Sequence, residues 1–459
     1  MARISAEMAL KQADALDDKA TADISHIPGR SGLPIIGDAL PFIANPVRYT
    51  RRCVDKYGPV FRNRIGADPT INLVDPEAQK MLTLDPDQLF STRKGYNNSL
   101  GIFFPDGLLL RDFSDHRMHR RIMQSSFKNS MLEAYMPDIH QILRKHVSLW
   151  ADKGEIHFVQ AIKAALLEVG SQVFLGIELG DDSEMLNQAF IDMAQASSTP
   201  FQFNIPGTSY YRGLKSYQMM SDYFRSQISQ KRESDSTDMF SLFCKETKEN
   251  GSYFSDDDIV HHINFLLFAA HDTTTSTLST LMYELTRKQQ WYRICHDELS
   301  RFDKGTLNYD DLDVPKNITY CFKETLRLYP PVVGLARRSL REFEFLGHRI
   351  PANTMVTVPL AACHRLEKIY KNPDEFEPLR FAPGREEHKV HPFAWFPFGG
   401  GAHKCIGLHF AEMLVKVALF EMLPHYKFES TAPHGKMSSL PFPKPVNNLP
   451  LRVSRINRS

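Results

Sequence analysis

The sequence lacks three features that would assign it to a special class of protein. Its formal net charge is only +1, so no overall field favours nucleic acid or an anionic membrane as a partner. Its six cysteines include no CxxC pair and no zinc-type spacing, so a cysteine-based zinc site of the usual type is excluded. Scattered single cysteines favour a reducing compartment. The N-terminus has no apolar core of signal-peptide type, and the central run FLLFAA (265–270) is far shorter than the ~20 residues that span a bilayer. We therefore expect a cytoplasmic protein with no nucleic-acid partner and no transmembrane anchor.

The composition is that of an ordinary globular protein, with 42% hydrophobic and 24% charged residues among 459. The segments 60–65 and 70–74 are typical of a β-hairpin, and helical patterns dominate from about 76 to 330. Short strands and turns follow. We predict a mainly α fold with a small β-rich subdomain, organised as a polar N-terminal arm (1–25) and a single domain (26–459).

One segment of the central helix has an unusual composition. FAAHDTTTST (268–277) lies inside a long apolar pattern that predicts a helix over 258–285. Threonine is a mediocre helix former, and its hydroxyl can bond back to a carbonyl one turn earlier and bend the helix. So many hydroxyls and a carboxylate in a core helix indicate either a bend or a chemical role.

One cysteine differs from the others by its surroundings. Cys405 lies in FPFGGGAHKCIGLHFAEM (396–413), after three consecutive glycines and just before a predicted helix. Glycines allow close backbone approach, and a helix N-terminus favours thiolate over thiol. A lone cysteine is more often a small buried hydrophobe, but this context favours an axial ligand of heme iron.

The segment resembles the heme loop of the cytochrome P-450 family, whose pattern is F-x-x-G-x-R/H-x-C-x-G. The matching residues are Phe398, Gly401, His403, Cys405 and Gly407. The chain resembles soluble bacterial members, and EFEFLGHRI and WFPFGGGAHKC are similar to the sterol demethylase and related lipid-oxidising branches. The resemblance implies the P-450 fold, a triangular helical prism that encloses heme b.

The resemblance also implies a set of heme-binding residues, with Cys405 as the metal ligand. His116 and Arg120 are spaced to share one helix face that bonds a propionate, although a solvated basic helix has the same spacing. Arg338 is a rival to Arg337 for the other propionate contact. The predicted cofactor-binding residues are His116, Arg120, Ala269, Arg337, Phe398, Gly399, His403, Cys405 and Gly407.

Two further motifs agree with the family. ETLR (324–327) and FEPLRF (376–381) imply a buried triad of Glu324, Arg327 and Arg380 that braces the heme loop, although an ordinary surface ion pair would explain the first motif alone. Leu379 stands where the family usually has an acid, and we expect a small effect because the arginine is the triad member.

The threonine-rich segment matches the family's distal helix, A/G-G-x-D/E-T-T/S. The resemblance implies that Asp272 and Thr273 are catalytic, because a hydroxyl can donate to dioxygen and hold a water while a carboxylate relays protons from solvent. Ala270 replaces the commoner glycine, and the other hydroxyls have only a structural explanation.

Apolar side chains from several segments are expected to form the substrate pocket by family analogy, although each aromatic alone is more often plain core. The candidates are Leu100, Ile102, Phe103, Phe104, Phe201, Phe203, Phe265, Phe268, Ala270, Val332, Val333 and Leu335.

The function implied is a monooxygenase that uses dioxygen to hydroxylate a steroid, terpenoid, retinoid or fatty acid. Its electrons would come from a ferredoxin or flavodoxin with its reductase, and we expect a monomer. A peroxide-using or rearranging heme enzyme and a non-catalytic heme or lipid sensor are the alternatives. The candidate docking face, which a solvated basic surface would equally explain, is His116, Arg117, His119, Arg120, Arg121, Lys128, Lys404 and Lys416.

Overall fold

The computed structural model describes most of the chain and divides it into two compact units. The described residues are 5–17, 22–34, 36–65, 68–177, 181–197, 203–248, 251–302 and 305–456. The sheet unit comprises Met1–Gly101, Leu108–His119 and Leu326–Cys405, and the helical unit comprises Ile102–Gly107, Arg120–Thr325 and Ile406–Ser459.

Helices make up most of the described residues, which confirms the predicted mainly α class. They are α1 (Ala6–Ala15), α2 (Ala39–Ala44), α3 (Pro46–Tyr57), α4 (Pro76–Leu84), α5 (Thr92–Leu100), α6 (Phe113–Met123), α7 (Asn129–Lys153), α8 (Phe158–Gly170), α9 (Asp181–Ser197), α10 (Ser209–Glu233), α11 (Met239–Lys245), α12 (Asp256–Arg287), α13 (Gln289–Ser300), α14 (Lys316–Leu328), α15 (Leu360–Cys363) and α16 (Leu408–Met422).

The strands are short, and within the described part of the chain they belong to four small sheets. They are β1 (Val60–Arg64), β2 (Pro69–Leu73), β3 (Phe90–Ser91), β4 (Glu155–His157), β5 (Leu335–Ser339), β6 (Phe343–Phe345), β7 (His348–Ile350), β8 (Met355–Val358), β9 (Tyr426–Ser430), β10 (Met437–Ser438), β11 (Lys444–Pro445) and β12 (Pro450–Arg455).

The largest sheet lies in the sheet unit and has the order β1-β2-β8-β5-β3. The predicted hairpin of β1 and β2 is confirmed, with Val60 opposite Leu73, and β2 pairs in parallel with β8. Alternate side chains on one face of the sheet, such as Val60, Ile71 and Val356, enter a continuous apolar core. The sheet thus gives the unit a rigid base on which its irregular segments are held.

The helical unit is organised around α12, which runs without interruption for 32 residues. The Ser255 side chain caps it by accepting from the Asp258 N–H, and Asp256, Asp257 and Asp258 in the first turn interact favourably with the helix dipole. The expected helix over 258–285 is confirmed, and its threonines do not break it.

The description of the N-terminal arm as polar needs one revision. The arm carries helix α1, and two of its residues, Ala9 and Ala13, are buried and pack against Leu340. Its polar composition therefore hides a small apolar contact.

Candidate active site

Cys405 differs from the other cysteines in its exposure. It is exposed, whereas the other five are all buried. Its N–H donates to the Phe398 carbonyl at 2.8 Å, which closes the loop, and α16 begins three residues later at Leu408. An exposed cysteine is uncommon, and its soft sulfur is suited to metal ligation.

Glycine is required at one position of this loop. Gly401 has φ +60°, and a Cβ there would lie 1.8 Å from the Thr83 carbonyl at the end of α4. The loop also holds His403, whose ring stacks on that of His116 in α6 with centroids 3.8 Å apart. The glycine run therefore serves close packing, and α4 and α6 fix the loop from outside.

Two buried arginines hold the segment that precedes the loop. Arg327 donates to the carbonyls of His364 (2.9 Å), Pro373 (2.7 Å) and Glu375 (3.2 Å). Arg380 donates to the Lys371 carbonyl at 3.0 Å. These planar donor groups satisfy several carbonyls that no regular ladder reaches.

The same arginines enclose the ring of Tyr370. The guanidinium carbons of Arg327 and Arg380 lie 4.9 Å and 5.8 Å from its centroid. Arg380 also pairs with Glu387 at 2.6 Å. Sequence analysis missed Glu387 and Tyr370, because no family motif marks either position.

The remaining triad positions agree with the expectation in their burial. Glu324 is fully buried in α14, one turn before Arg327. Leu379 is 45% exposed, so the place where the family usually has an acid lies outside the buried network.

His364 is a second brace that the sequence did not reveal. Its Nε2 accepts from the N–H of Phe396, at the start of the heme-loop segment, at 2.9 Å. Burial, and then the charges of Arg327 and Arg365, lower the pKa of His364 to about 3. The ring is therefore neutral near pH 7, and its Nε2 keeps the lone pair that accepts the Phe396 N–H.

The two candidate propionate arginines differ in their partners. Arg338 donates to the Asn353 side chain at 3.1 Å and lies 3.7 Å from a carboxylate oxygen of Asp68. Arg337, on the opposite face of β5, donates to the Ala336 carbonyl at 2.8 Å. Arg338 is thus already neutralised, which favours Arg337 as the propionate ligand.

The middle of α12 differs from the rest of the helix in its exposure. Every residue from Thr274 to Thr286 is buried, whereas Phe265, the stretch 267–270, Asp272 and Thr273 are only partly buried. A face of the helix is therefore open at the level of the predicted catalytic pair.

The threonine hydroxyls bond back to the helix carbonyls. Thr273 donates to the Ala269 carbonyl at 2.7 Å, and Thr274 donates to that of Ala270 at 2.8 Å. Ser276 instead donates to the Pro443 carbonyl at 2.6 Å and so holds the β10–β11 hairpin against the helix. Back-bonding leaves lone pairs of the Thr273 hydroxyl available as acceptors.

The Asp272 carboxylate lies beside a lysine and a histidine. One carboxylate oxygen lies 3.2 Å from the Lys163 ammonium of α8 and 3.3 Å from Nδ1 of His271. Burial raises the pKa of Asp272, but the ring of His271 and the charge of Lys163 outweigh it and lower the pKa to about 2. Sequence analysis assigned no role to Lys163 or His271, because Lys163 is distant in the chain and the family motif allows any residue before the acid.

Several of the predicted pocket residues of the helical unit form one aromatic cluster. Phe104 stacks on Phe268 with centroids 4.3 Å apart and lies edge-on to Phe265 at 6.3 Å. Phe442, which sequence analysis missed, approaches Phe268 at 6.5 Å from the β10–β11 hairpin. Phe103 packs instead against Tyr210.

The other pocket candidates vary in exposure. Ile102, Phe203 and Val332 are exposed, and Phe201 lies outside the described residues. Leu100, Val333 and Leu335 are partly buried. Ala270 lines a cavity between α8, α9, α12 and α16.

The predicted docking face needs a correction. Lys416 is 2% exposed, because it donates to the Leu312 carbonyl at 2.7 Å and pairs with Glu412. His116 and His119 are buried as well. The surface residues of that set are Arg117, Arg121, Lys128 and Lys404.

A model of the family described as Cytochrome P450 matches residues 27–449. The chain belongs to the cytochrome P450 family. It is therefore an oxidoreductase of the monooxygenase class, and heme b is its cofactor. The exposed soft sulfur of Cys405 fits such a group, since thiolate is the axial ligand of P450 heme.

Curated relatives and a solved structure agree with this assignment. A putative cytochrome P450 136 of Mycobacterium tuberculosis is 32% identical to this chain over 435 residues. The aligned region covers 93% of this chain and 88% of that protein. The chain is 25% identical over 447 residues to taxane 13-alpha-hydroxylase of Taxus cuspidata, which covers 93% and 91%. The structure of retinoic acid bound cyanobacterial CYP120A1 matches with a TM-score of 0.86 at 22% identity, covering 94% and 99%. The predicted P450 fold is thereby confirmed.

One helical stretch among the described residues has the length and composition to cross a bilayer. It is Phe158–Leu175, and 56% of it is buried inside the protein. Buried core helices commonly have this composition, so the stretch is weak evidence for a membrane span.

Proposed function

We propose that this P450 hydroxylates a lipophilic small molecule with Cys405 as the thiolate ligand of its heme. The observation that carries the proposal is the exposed Cys405 sulfur in a glycine loop braced from outside. His116, Arg120 and Arg337 would hold the propionates, and Ala269, Phe398, Gly399, His403 and Gly407 would contact the macrocycle. Bound heme supplies the activation of dioxygen.

Asp272 and Thr273 are the proposed proton-delivery pair. The open face of α12 at these residues supports this role, because a proton donor must reach the reacting group directly or through one water. The Thr273 hydroxyl would hold that water, and the carboxylate of Asp272 would orient it and pass a proton on.

The proposed substrate is a terpenoid or retinoid. The aromatic cluster of Phe104, Phe265, Phe268 and Phe442 offers flat apolar surfaces with few polar groups. The names of two similar proteins, a taxane hydroxylase and a CYP120A1 that binds retinoic acid, point in the same direction. Steroids and fatty acids have the same general chemistry and belong in the same screen.

We also propose a monomeric, cytoplasmic enzyme that receives electrons from a ferredoxin or flavodoxin. Arg117, Arg121, Lys128 and Lys404 are exposed cations that suit an acidic protein. Association should then weaken steeply as ionic strength rises.

The test starts from the spectrum of the reduced protein with carbon monoxide. The wild type should give the red-shifted Soret band of thiolate ligation, and Cys405→Ser should lose it together with nearly all turnover. Cys295→Ser, at a buried cysteine, is the matched control and should keep the band. An unchanged band in Cys405→Ser would refute the ligand assignment.

The substrate test is a screen read from the Soret shift, followed by product analysis. All-trans retinoic acid, a taxadiene-type terpenoid, a steroid and lauric acid cover the candidate classes. Turnover with ferredoxin and reductase should fall at least tenfold in Thr273→Ala. Product formation unchanged in that variant would refute the role of Thr273.

A further inference from the structure

His271 lies beside the proposed catalytic acid, on the side of α12 that faces α8 and α9. Its ring is 7% exposed, and Phe190 of α9 packs edge-on against it with centroids 5.1 Å apart. Nδ1 lies 3.3 Å from a carboxylate oxygen of Asp272, and Nε2 lies 3.3 Å from the backbone carbonyl of Lys163. Two different elements therefore fix the ring in one orientation.

The two ring nitrogens have different surroundings. Nε2 is within hydrogen-bond distance of the Lys163 carbonyl, so it is the nitrogen that donates there. Nδ1 lies 3.3 Å from the Asp272 carboxylate without forming a hydrogen bond among the described residues, which leaves it as the ring atom that can exchange a proton with that carboxylate. The charged groups that face it are the Asp272 carboxylate, which favours the cation, and the Lys163 ammonium, which opposes it.

Asp272 by itself rarely carries a proton. With Lys163 and His271 in place the pKa of Asp272 is about 2, so the carboxylate is ionised at any physiological pH. An imidazole has two nitrogens, one of which can take up a proton while the other gives one up, whereas the lysine ammonium has donors only. The ring is thus the member of this cluster whose chemistry suits reversible proton transfer.

The ring also borders a cavity from which it can be reprotonated. The cavity is lined mainly by apolar side chains such as Leu166 and Phe410, and its polar lining includes His271, Ser171, Asn187 and Thr274. His271 lines this cavity, whereas Asp272 and Thr273 do not. A water molecule in the cavity would therefore contact the imidazole rather than the Asp272–Thr273 pair.

We propose that His271 is the proton-carrying residue behind the Asp272–Thr273 pair. The Nδ1 proton passes to the adjacent carboxylate oxygen, and water in the cavity returns one proton to the neutral ring. Once the ring has given up its proton, Lys163 is the remaining cation beside Asp272, so the carboxylate has a higher affinity for the transferred proton. The inference deepens the proposed monooxygenase function and rests on it, but the pairing of ring and carboxylate exists without turnover.

The first experiment observes the ring directly by NMR. The holoenzyme, labelled with ¹⁵N-histidine and held as the diamagnetic reduced carbon monoxide form, is titrated from pH 5 to 9. The His271 resonance is assigned by its loss in His271→Gln. We expect one titration for this ring in that window, and a downward displacement of its midpoint by at least one pH unit in Asp272→Asn. A midpoint that does not respond to Asp272→Asn would overturn the proposal.

The second experiment follows dioxygen consumption driven by NADPH through a surrogate ferredoxin and reductase, with retinoic acid as probe. In the wild type the rate should fall as pH rises through the NMR midpoint of His271. In the variants His271→Gln and His271→Phe this pH-dependent fall should disappear. Their rates of dioxygen consumption should be at least tenfold lower, with a larger solvent deuterium isotope effect. His262→Gln, at a buried histidine of the same helix, should retain the wild-type profile.

Glutamine separates a proton carrier from a positioning group. It can still donate a hydrogen bond to Asp272, so a purely positional role predicts that His271→Gln keeps the rate and that only His271→Phe loses it. That outcome would overturn the proposal. If the proposed monooxygenase function is wrong, the thiolate Soret band is absent. The pairing of His271 with Asp272 is then still tested by the NMR response of His271 to Asp272→Asn.

Discussion

The segment behind the Cys405 loop and the middle of α12 are held in place in different ways. Behind the loop, Arg327 and Arg380 satisfy carbonyls and the Glu387 carboxylate from a fully buried position. In α12 the regular backbone ladder supports itself, and the side chains of its middle add the ion pair of Asp272 with Lys163 and a few single hydrogen bonds. An irregular segment needs side-chain donors to satisfy its backbone, whereas a helix can use its side chains for chemistry.

The largest effect should come from breaking the loop brace. Arg380→Leu removes the buried donor of the Lys371 carbonyl and one of the two arginines that pair with Glu387, and a buried acceptor left unsatisfied costs about 1–3 kcal/mol. We expect a large fall in the urea midpoint and in heme content. Both are measured on the same preparation, by circular dichroism and by absorbance.

Arg385→Leu provides the matched control for this brace. Arg385 also pairs with Glu387 at 2.6 Å, but it is 39% exposed, and surface pairs contribute about 0–1 kcal/mol. A similar loss of stability in both variants would show that burial of Arg380 is not what matters.

The sequence predicted these two regions to different extents, for a physical reason. The glycines, His403 and Cys405 of the loop are neighbours in sequence, and each carries its own conformational or chemical signal. Their supports, such as the partly buried Glu387 and the buried His364, are charged or polar residues whose partners depend on tertiary packing. No local pattern encodes that Arg380 meets Glu387 or that His364 receives the Phe396 N–H.

The same limit applies to α12. Its approximate length follows from the long apolar pattern over 258–285, and its hydroxyl-rich centre is read directly from the sequence. The electrostatics of Asp272 do not follow from that pattern, because Lys163 is 109 residues away in the chain. The pairing of Ser276 with Pro443 likewise depends on a hairpin 167 residues further along. Sequence therefore located the candidate chemistry but not the groups that set its charge.

An intermediate effect is expected from the charge cluster of α12. A carboxyl group whose pKa falls from 3.8 to about 2 on folding stabilises the folded state by about 2 kcal/mol above its unfolded pKa. That contribution is lost as pH falls from about 4 through 2. The advantage of the wild type over Asp272→Asn in unfolding free energy should therefore be largest near neutral pH and shrink toward pH 2.

This pH dependence is measured by urea unfolding of both proteins between pH 2.5 and 7. Lys163→Met is the informative companion, because it removes one cation while leaving His271, and should give part of the same loss. A difference between wild type and Asp272→Asn that is constant with pH would contradict the ion-paired state of this carboxylate.

The smallest effect concerns the hydroxyls of the buried half of α12, where two serines one turn apart differ in partner. Ser276 donates to the Pro443 carbonyl, whereas the hydroxyl of Ser279 has no hydrogen-bond partner among the described residues. Ser276→Ala should cost about 1 kcal/mol and speed amide hydrogen exchange in the β10–β11 hairpin that carries Phe442. Ser279→Ala should be neutral or slightly stabilising, because it removes a buried polar atom that forms no bond there. Equal effects of the two substitutions would mean that the hairpin is held by its apolar contacts alone, and that these hydroxyls only adjust the helix.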